Sequence, residues 1–335
     1  MGLIRLIPTE SLNYNKTVVF NYSLFSQEDK LILAPMQNLT NSFYRKAFEK
    51  FFPSIVDYAV SPFISVSSTP IDEKSILFDD IRKENNINSL PLVPQIIGNN
   101  VENILQTCKI IEQFGYKEVN LNMGCPKRDI VSRQRGAGLL TDEKKVEQII
   151  KGILEQTHLS LSIKVRTGVK NDTDFERMLP MINSYPLKSV CIHARRAIDF
   201  YEGGVDIEKF EFLTKKLKHT IIYNGDIFSK EDFTTLKTRF PYIKNWMLGR
   251  GLLRNPFLAG EIRGINFDKN LVLKPFIQEI QNNFVSSLRR ENETIVLNKM
   301  KEFSKYICQG LNLDSTPFTH SKSLSEITTL FETCL

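Results

Sequence analysis

A closed (β/α)₈ barrel followed by a small all-α region is the fold this sequence predicts, and three observations carry it. Short apolar runs alternate with amphipathic stretches from about Leu31 to Gly264. Eight such units occupy that span, and strand–helix alternation implies a parallel sheet that eight units can close. From Lys274 onward the pattern is helical only.

The eight expected strands are Leu31–Ala34, Val56–Val60, Leu92–Ile97, Val119–Asn122, Leu161–Val165, Ser189–His193, Thr220–Tyr223 and Asn245–Leu248. Each is short and rich in apolar or β-branched residues. Helices fall between most of them. Val101, Ile104, Leu105, Cys108 and Ile111 share one helical face, with Asn99 or Asn100 as N-cap. Thr141-Asp142-Glu143 opens another helix, and Ser229 with Asp232 makes a capping box before Phe240. The segment Ser65 to Ser89 is polar and offers only Ile76–Ile81 as a helix. An open doubly wound sheet is the alternative, but the Gly-x-Gly-x-x-Gly turn it wants after strand one is missing.

Beyond Gly264, Phe276, Ile280, Phe284 and Leu288 form one helical stripe, and Leu297, Met300, Phe303 and Ile307 another. The expected organisation is an N-terminal extension over 1–30, a barrel over 31–264 and a helical domain over 265–335. The extension, outside the alternation, reads as an extra strand pair or a remnant. The Ser/Thr-rich tail from Asn312 reads as poorly ordered.

Composition bounds the function. With 41% apolar and 24% charged residues among 335, the chain can bury an ordinary core without metal or disulfide staples. No apolar run is long enough to span a bilayer, and Met1–Glu10 has no signal-peptide core, so a cytosolic protein is expected. The five cysteines are widely spaced and make no Cys-x-x-Cys pair, so no metal is expected. The net charge is +6, and the basic excess lies before residue 265. Lys127, Arg128, Arg133 and Arg135 make a dense basic loop there, which alone would be a solvated face. Further cations, Arg289, Arg290, Lys299, Lys301 and Lys305, lie on the polar faces of the helical region.

In barrels chemistry gathers at the carboxyl ends of the strands. Here those ends carry Ala34-Pro35-Met36-Gln37, Asn120-Leu121-Asn122-Met123-Gly124-Cys125-Pro126, Arg166, His193-Ala194-Arg195, Asn224-Gly225-Asp226 and Gly249-Arg250-Gly251. Gln95 and Lys164 lie within strands three and five. A strand-end Asn often just caps a turn, but coincidence at one barrel face is harder to dismiss. The last two turns, with close-approach glycines and a fixed cation in Arg250, suit a phosphorylated cofactor. Lys164 and Gln95 suit its other end, where a flavin's N1–O2 edge gains negative charge on reduction. Cys125 sits in a loop at the same face with no sequence-adjacent His, which favours a general-acid thiol over a Cys–His nucleophile.

Taken in order, the Ala-Pro-Met, Asn120-Leu-Asn122-Met-Gly-Cys125-Pro, Lys164-Val-Arg166-Thr-Gly, His193-Ala-Arg195, Asn224-Gly-Asp226 and Gly249-Arg-Gly251 pieces resemble tRNA-dihydrouridine synthases. The Asn-x-Gly-Cys-Pro segment is the specific one. Lys299-Met-Lys-Glu-Phe-Ser-Lys-Tyr-Ile resembles the terminal helices of the bacterial C-type subgroup. The resemblance implies bound FMN, NADPH as reductant and tRNA as substrate. It implies hydride delivery from flavin N5 to uracil C6 and a proton from Cys125 to C5. Asn122 would position substrate and flavin, with His193 and Arg195 near both and Arg166 toward the tRNA. Lys127, Arg128, Arg133 and Arg135, with the helical region's cations, would hold phosphates around a flipped uridine. A monomer is expected. Gln37-Asn38 departs from the family pattern, where an acidic or small residue and Gly are common. Two alternatives are a barrel flavoenzyme acting on a free pyrimidine or enone, and an RNA-folding protein whose chemistry is dispensable. A helical surface useless to a small substrate argues against the first, and the intact Cys125, Lys164 and Arg250 set against the second.

Overall fold

The computed structural model describes residues 25–66, 72–86, 90–286 and 292–335. Its strands are β1 (Lys30–Leu33), β2 (Tyr58–Val60), β3 (Ile64–Ser65), β4 (Leu92–Val93), β5 (Gln95–Ile97), β6 (Glu118–Met123), β7 (Ser160–Gly168), β8 (Ser189–Arg196), β9 (Ile221–Asn224) and β10 (Asn245–Leu248). Every pairing is parallel. The expected barrel is present, with strand boundaries shifted by a few residues.

Ten strands make eight staves because two staves are interrupted. Pro94 splits the third into β4, which pairs with β2, and β5, which pairs with β3 and β6. Proline has no N–H to give a ladder. The repair is local: Ser61 Oγ accepts from Gln95 N at 3.0 Å, and Ser61 N donates to Val93 O at 3.0 Å. The ring closes where β1 pairs with β10, Lys30 beside Asn245 and Leu33 beside Leu248.

The helices follow the capping logic of the sequence. Asn100, rather than Asn99, accepts from Asn103 N to start Val101–Gln113. Asp142 caps Glu143–Gln156, and Ser229 and Asp232 form the expected box on Lys230–Arg239. Between β3 and β4 only short 3₁₀ turns occur among the described residues, Ile76–Ile81 and Lys83–Asn85. They are clamped by Arg45, a fully buried cation that donates to Thr40 O, Asp80 and Asn86.

The helical region shares the barrel's core. Phe276, from helix Lys269–Ser286, is fully buried against Tyr44, Phe48, Phe51 and Phe52, all from or beside barrel helix Ser42–Phe51. Gly310, in helix Glu293–Leu311, lies so close to Arg254 that an added Cβ would stand 1.8 Å from its carbonyl oxygen. The tail beyond Asn312 is helical, contrary to the expected disorder. Thr316–His320 and Leu324–Cys334 form helices that bury Phe318, Ile327 and Phe331. These three, with Leu313, Leu324, Leu330 and Leu335 packed beside them, anchor an otherwise Ser/Thr-rich segment, the Phe318 and Phe331 rings lying 4.6 Å apart. The expected extension over 1–30 lies outside the described residues up to 24, as do Arg289 and Arg290.

Candidate active site

Register decides which side chains meet. Across the sheet, Gln95 pairs with Asn120, Asn122 with Lys164, Lys164 with Cys191, Arg166 with His193, and His193 with Asn224. Alternate residues of one strand share a face, so these neighbours form a polar floor at the carboxyl end of the barrel.

Part of that floor is a chain of amides. Asn120 donates to Ser162 Oγ at 3.0 Å and accepts from Gln95 Nε2 at 2.7 Å. Gln95 Oε1 accepts from Asn122 Nδ2 at 2.8 Å. Asn122 Oδ1 then accepts from the backbone N–H of Gly124 at 3.0 Å and of Cys125 at 2.9 Å. Gln95, Asn120 and Asn122 are all buried, so each amide is fixed by its neighbours. The chain runs from the barrel interior to the Cys125 backbone and holds the loop that carries the thiol. Gln95 is thereby engaged at both ends of its amide within the protein.

Cys125 is half-buried and unbonded to another cysteine. Its loop folds back on it: Ala137 N donates to Cys125 O at 3.1 Å, and a Cβ on Gly136 (φ +57°) would lie 2.9 Å from Cys125 Cβ. Burial pushes the thiol up from its ordinary range, against the pull of Lys127 and Arg166. The thiol is therefore protonated at neutral pH, which a general acid requires. The other described cysteines are buried, except the exposed Cys334.

Beside this loop opens a cavity lined by Ala34, Pro35, Met36, Lys164, His193 and Tyr201, and by the turns at Asn224-Gly225-Asp226 and Gly249-Arg250-Gly251. Thr40 pins its first wall, its hydroxyl accepting from Met36 N and donating to Ala34 O. Gly249 leaves space over that wall that a Cβ would fill, 3.3 Å from Ala34 Cβ and 3.5 Å from Met36 Sδ. Gly225, at φ +137°, admits no side chain: a Cβ would meet Val205 at 2.5 Å and His193 at 3.0 Å.

The electrostatics of this cavity are cationic. Lys164 has no carboxylate partner among the described residues. Burial lowers its ammonium, and nearby Arg166 lowers it further. Burial, with Lys164, Arg166, Arg195 and Arg250 around it, also drives His193 well below its usual range, so its imidazole is neutral. His193 Nε2 is buried without a protein hydrogen-bond partner. Asp226, in the left-handed region at φ +46°, bridges Arg195 and Arg250, the latter at 2.6 Å. Such an orphaned donor–acceptor, an unneutralised lysine and a glycine-floored arginine turn fit a flavin phosphate and its electron-rich ring edge.

Several expected residues face elsewhere. Arg166 and Arg195 are buried and donate to backbone carbonyls, Arg166 to Arg196 and Phe200, Arg195 to Glu202 and Gly203. Together they fasten the loop after β8. Tyr201 on that loop was missed by sequence reasoning. It is 43% exposed and lies against two guanidinium groups, Arg250 at 4.5 Å and Arg166 at 5.4 Å. Lys127, Arg128 and Arg133 are exposed, whereas Arg135 is half-buried with Nε unpartnered. Lys305 is exposed and Lys301 half-buried. Lys299 reaches a groove it shares with Gln37 at the barrel mouth.

The family signature Dihydrouridine synthase (Dus) matches residues 32–329. The chain belongs to the dihydrouridine synthase family. Similar relatives include a probable tRNA-dihydrouridine synthase of Rickettsia typhi, 27% identical over 238 residues, covering 69% of each chain. Another is a tRNA-dihydrouridine(16) synthase of Neisseria meningitidis, 26% identical over 242 residues, covering 71% of this chain and 72% of the relative. Among solved structures, an old yellow enzyme homologue from Zymomonas mobilis superposes with a TM-score of 0.51 at 8% identity, covering 74% of this chain and 93% of that one. At that identity the likeness is one of fold. The dihydrouridine synthase match extends through both stripes of the helical region and most of the tail, so those helices are part of what the family shares. Among the described residues no group of His, Cys, Asp or Glu is arranged to hold a metal, and no helix is long and apolar enough to cross a membrane.

Proposed function

We propose that this dihydrouridine synthase is a cytoplasmic monomer that reduces the C5=C6 bond of a uridine in tRNA, with FMN as its cofactor and NADPH as reductant. The amide chain that ends on Cys125 beside the cationic cavity carries this reading. Ala34, Pro35 and Met36 would border the flavin ring, Lys164 and His193 its polar edge, and Asn224, Gly225, Asp226, Gly249 and Arg250 its phosphate side, whereas Gln37 lines the neighbouring groove and Gln95 holds the amide chain beneath. When bound, the flavin supplies the hydride that uracil C6 accepts.

The protein's own groups do the rest. As C6 gains hydride, the C5=C6 electron pair moves toward C5 and the C4 carbonyl oxygen. Cys125 Sγ holds the proton that C5 takes, and the resulting thiolate recovers a proton from solvent. Asn122 fixes the loop so that the thiol's position does not wander. Arg166 and Arg195 act by fastening the Tyr201 loop. Lys127, Arg128, Arg133 and Arg135, with Lys299, Lys301 and Lys305 and the undescribed Arg289 and Arg290, supply cations for the tRNA backbone.

Purified protein, NADPH and unmodified tRNA test this directly, with dihydrouridine read by mass spectrometry of digested tRNA. No product on tRNA sinks the proposal, and equal turnover of free uridine would remove tRNA from it.

Two further outcomes are expected. Arg250→Ala should weaken FMN binding by about 10- to 100-fold, the worth of one charge-assisted contact. Flavin titration reads this, and an unchanged affinity would detach the Gly249-Arg250 turn from the phosphate. The pH profile should show its limb on the alkaline side. A thiol acid works while protonated, so turnover persists below the folded pKa and is lost as pH rises through it. Burial puts that limb above the ordinary thiol range. A limb falling below neutrality would rule out the thiol as the group that titrates.

A further inference from the structure

A groove at the barrel mouth is left over once the cavity is assigned. Gln37, Asn38, Phe63 and Ser65 line it throughout. One end is closed by Asn41, Phe43 and Lys299, the other by Lys127, Arg133 and Arg135. The two ends hold about 270 and 310 Å³, the low end of the range for a small planar ligand.

Four features along it stand apart from the contacts that hold the fold. Phe63 is half-buried yet lies outside the barrel core and has no aromatic partner among the described residues. Gln37 Oε1 and Arg135 Nε are buried without hydrogen-bond partners. Asn38 is exposed in the left-handed region at φ +69°, where glycine would be cheaper. Lys127 and Arg133 are exposed and make no ion pair among the described residues. The carboxylates nearby are Asp129 and, from the helical region beside Lys127, Glu302 at the basic end, and Asp79 and Asp80 at the other, the last two paired with Arg82 and Arg45.

An unpartnered aromatic face, two side-chain amides and a row of cations are what single-stranded nucleic acid uses: stacking, edge hydrogen bonds and phosphate neutralisation. The basic end of the groove begins two residues after Cys125. A uridine drawn out of its stack to reach that thiol leaves its strand neighbours unstacked as well. We propose that the groove binds a nucleotide adjoining the reduced uridine, its base on Phe63 and its edge against Gln37 and Asn38, with phosphates toward Lys127, Arg133 and Arg135. This rests on the tRNA reading above and adds sequence context to it: the identity of the neighbouring base tunes how efficiently the presented uridine is reduced.

The test uses full-length protein and transcribed tRNAs that differ only in the nucleotide on either side of the modified uridine. Phe63→Ala should weaken tRNA binding by between about 5- and 150-fold, the range for one lost base–aromatic stack. Phe63→Tyr should restore it. Asn38→Gly, which suits the φ of that turn, should flatten the kcat/KM differences among the transcripts. FMN content and NADPH-driven flavin reduction should stay as in wild type for all three variants. Should Phe63→Ala lower Tm, Asn38→Gly alone decides the matter. Wild-type affinity in Phe63→Ala, equal weakness of Phe63→Tyr, or unaltered discrimination in Asn38→Gly would overturn the subsite while leaving the activity intact. Wild-type protein that makes no dihydrouridine overturns the activity and the subsite together.

Discussion

Cys125→Ala should bind FMN and accept electrons from NADPH as wild type does, yet oxidise its reduced flavin with tRNA about 10²–10⁴-fold more slowly. That range is what a positioned general acid contributes. The expectation follows from the thiol's place. Its backbone N–H is held by Asn122 at 2.9 Å, its loop is closed by Ala137, and burial keeps it protonated. None of these features is needed to bind flavin, so the loss should fall on one half-reaction. Cys125→Ser should keep a little activity, since a hydroxyl is a far weaker acid. Rapid mixing of pre-reduced Cys125→Ala protein with unmodified tRNA, without oxygen, is the measurement. Oxidation at the wild-type rate would mean that water or another side chain protonates C5.

Phe276→Ala should cost about 3–5 kcal/mol of stability, as large aromatic truncations in a packed core do. The ring lies 5.1 Å from Phe52, 6.0 Å from Phe51 and 6.1 Å from Tyr44, with no exposed surface. Those partners belong to the barrel, so the damage crosses the boundary between the two parts of the chain. Barrel and helical region should melt together, in wild type and in the variant, when followed by flavin fluorescence and by far-UV circular dichroism. A separate early transition of the helices would show that the shared aromatic core does not couple them. For the same reason, truncation after Gly264 exposes this cluster and tests folding before it tests tRNA binding.

Much of this was legible in the sequence. The strand ends could be read because β-structure is short, apolar and punctuated, and because Asn122, Lys164, His193 and Arg250 are costly residues to place there without a use. What pairs with what was not legible. Gln95 reads as a cofactor contact, but only the register with Asn120 shows its amide engaged on both sides. Arg166 and Arg195 read as cations for tRNA, while the path of the loop after β8 brings carbonyls within reach of both. Tyr201 gave no periodic signal, being a loop residue between Phe200 and Glu202, and its meaning lies in the two guanidinium groups beside it. The tail was misread because composition averages over position: Phe318 in one short helix and Ile327 and Phe331, one turn apart in the next, outweigh the nine hydroxyls around them.

The closure of the ring between its first and last strands bears on how the protein is made. Asp29 and Lys237, 208 residues apart, form a buried ion pair at the foot of that seam. On a ribosome adding about 5–20 residues per second, β1 therefore emerges roughly 10–40 s before its neighbour β10 exists. During that interval an apolar strand has one open edge and a buried-to-be aspartate has no cation. Such edges recruit other chains. Synthesis speed and chaperone supply, rather than final stability, should then limit the yield of soluble protein, and slowing translation upstream of β10 should lower it.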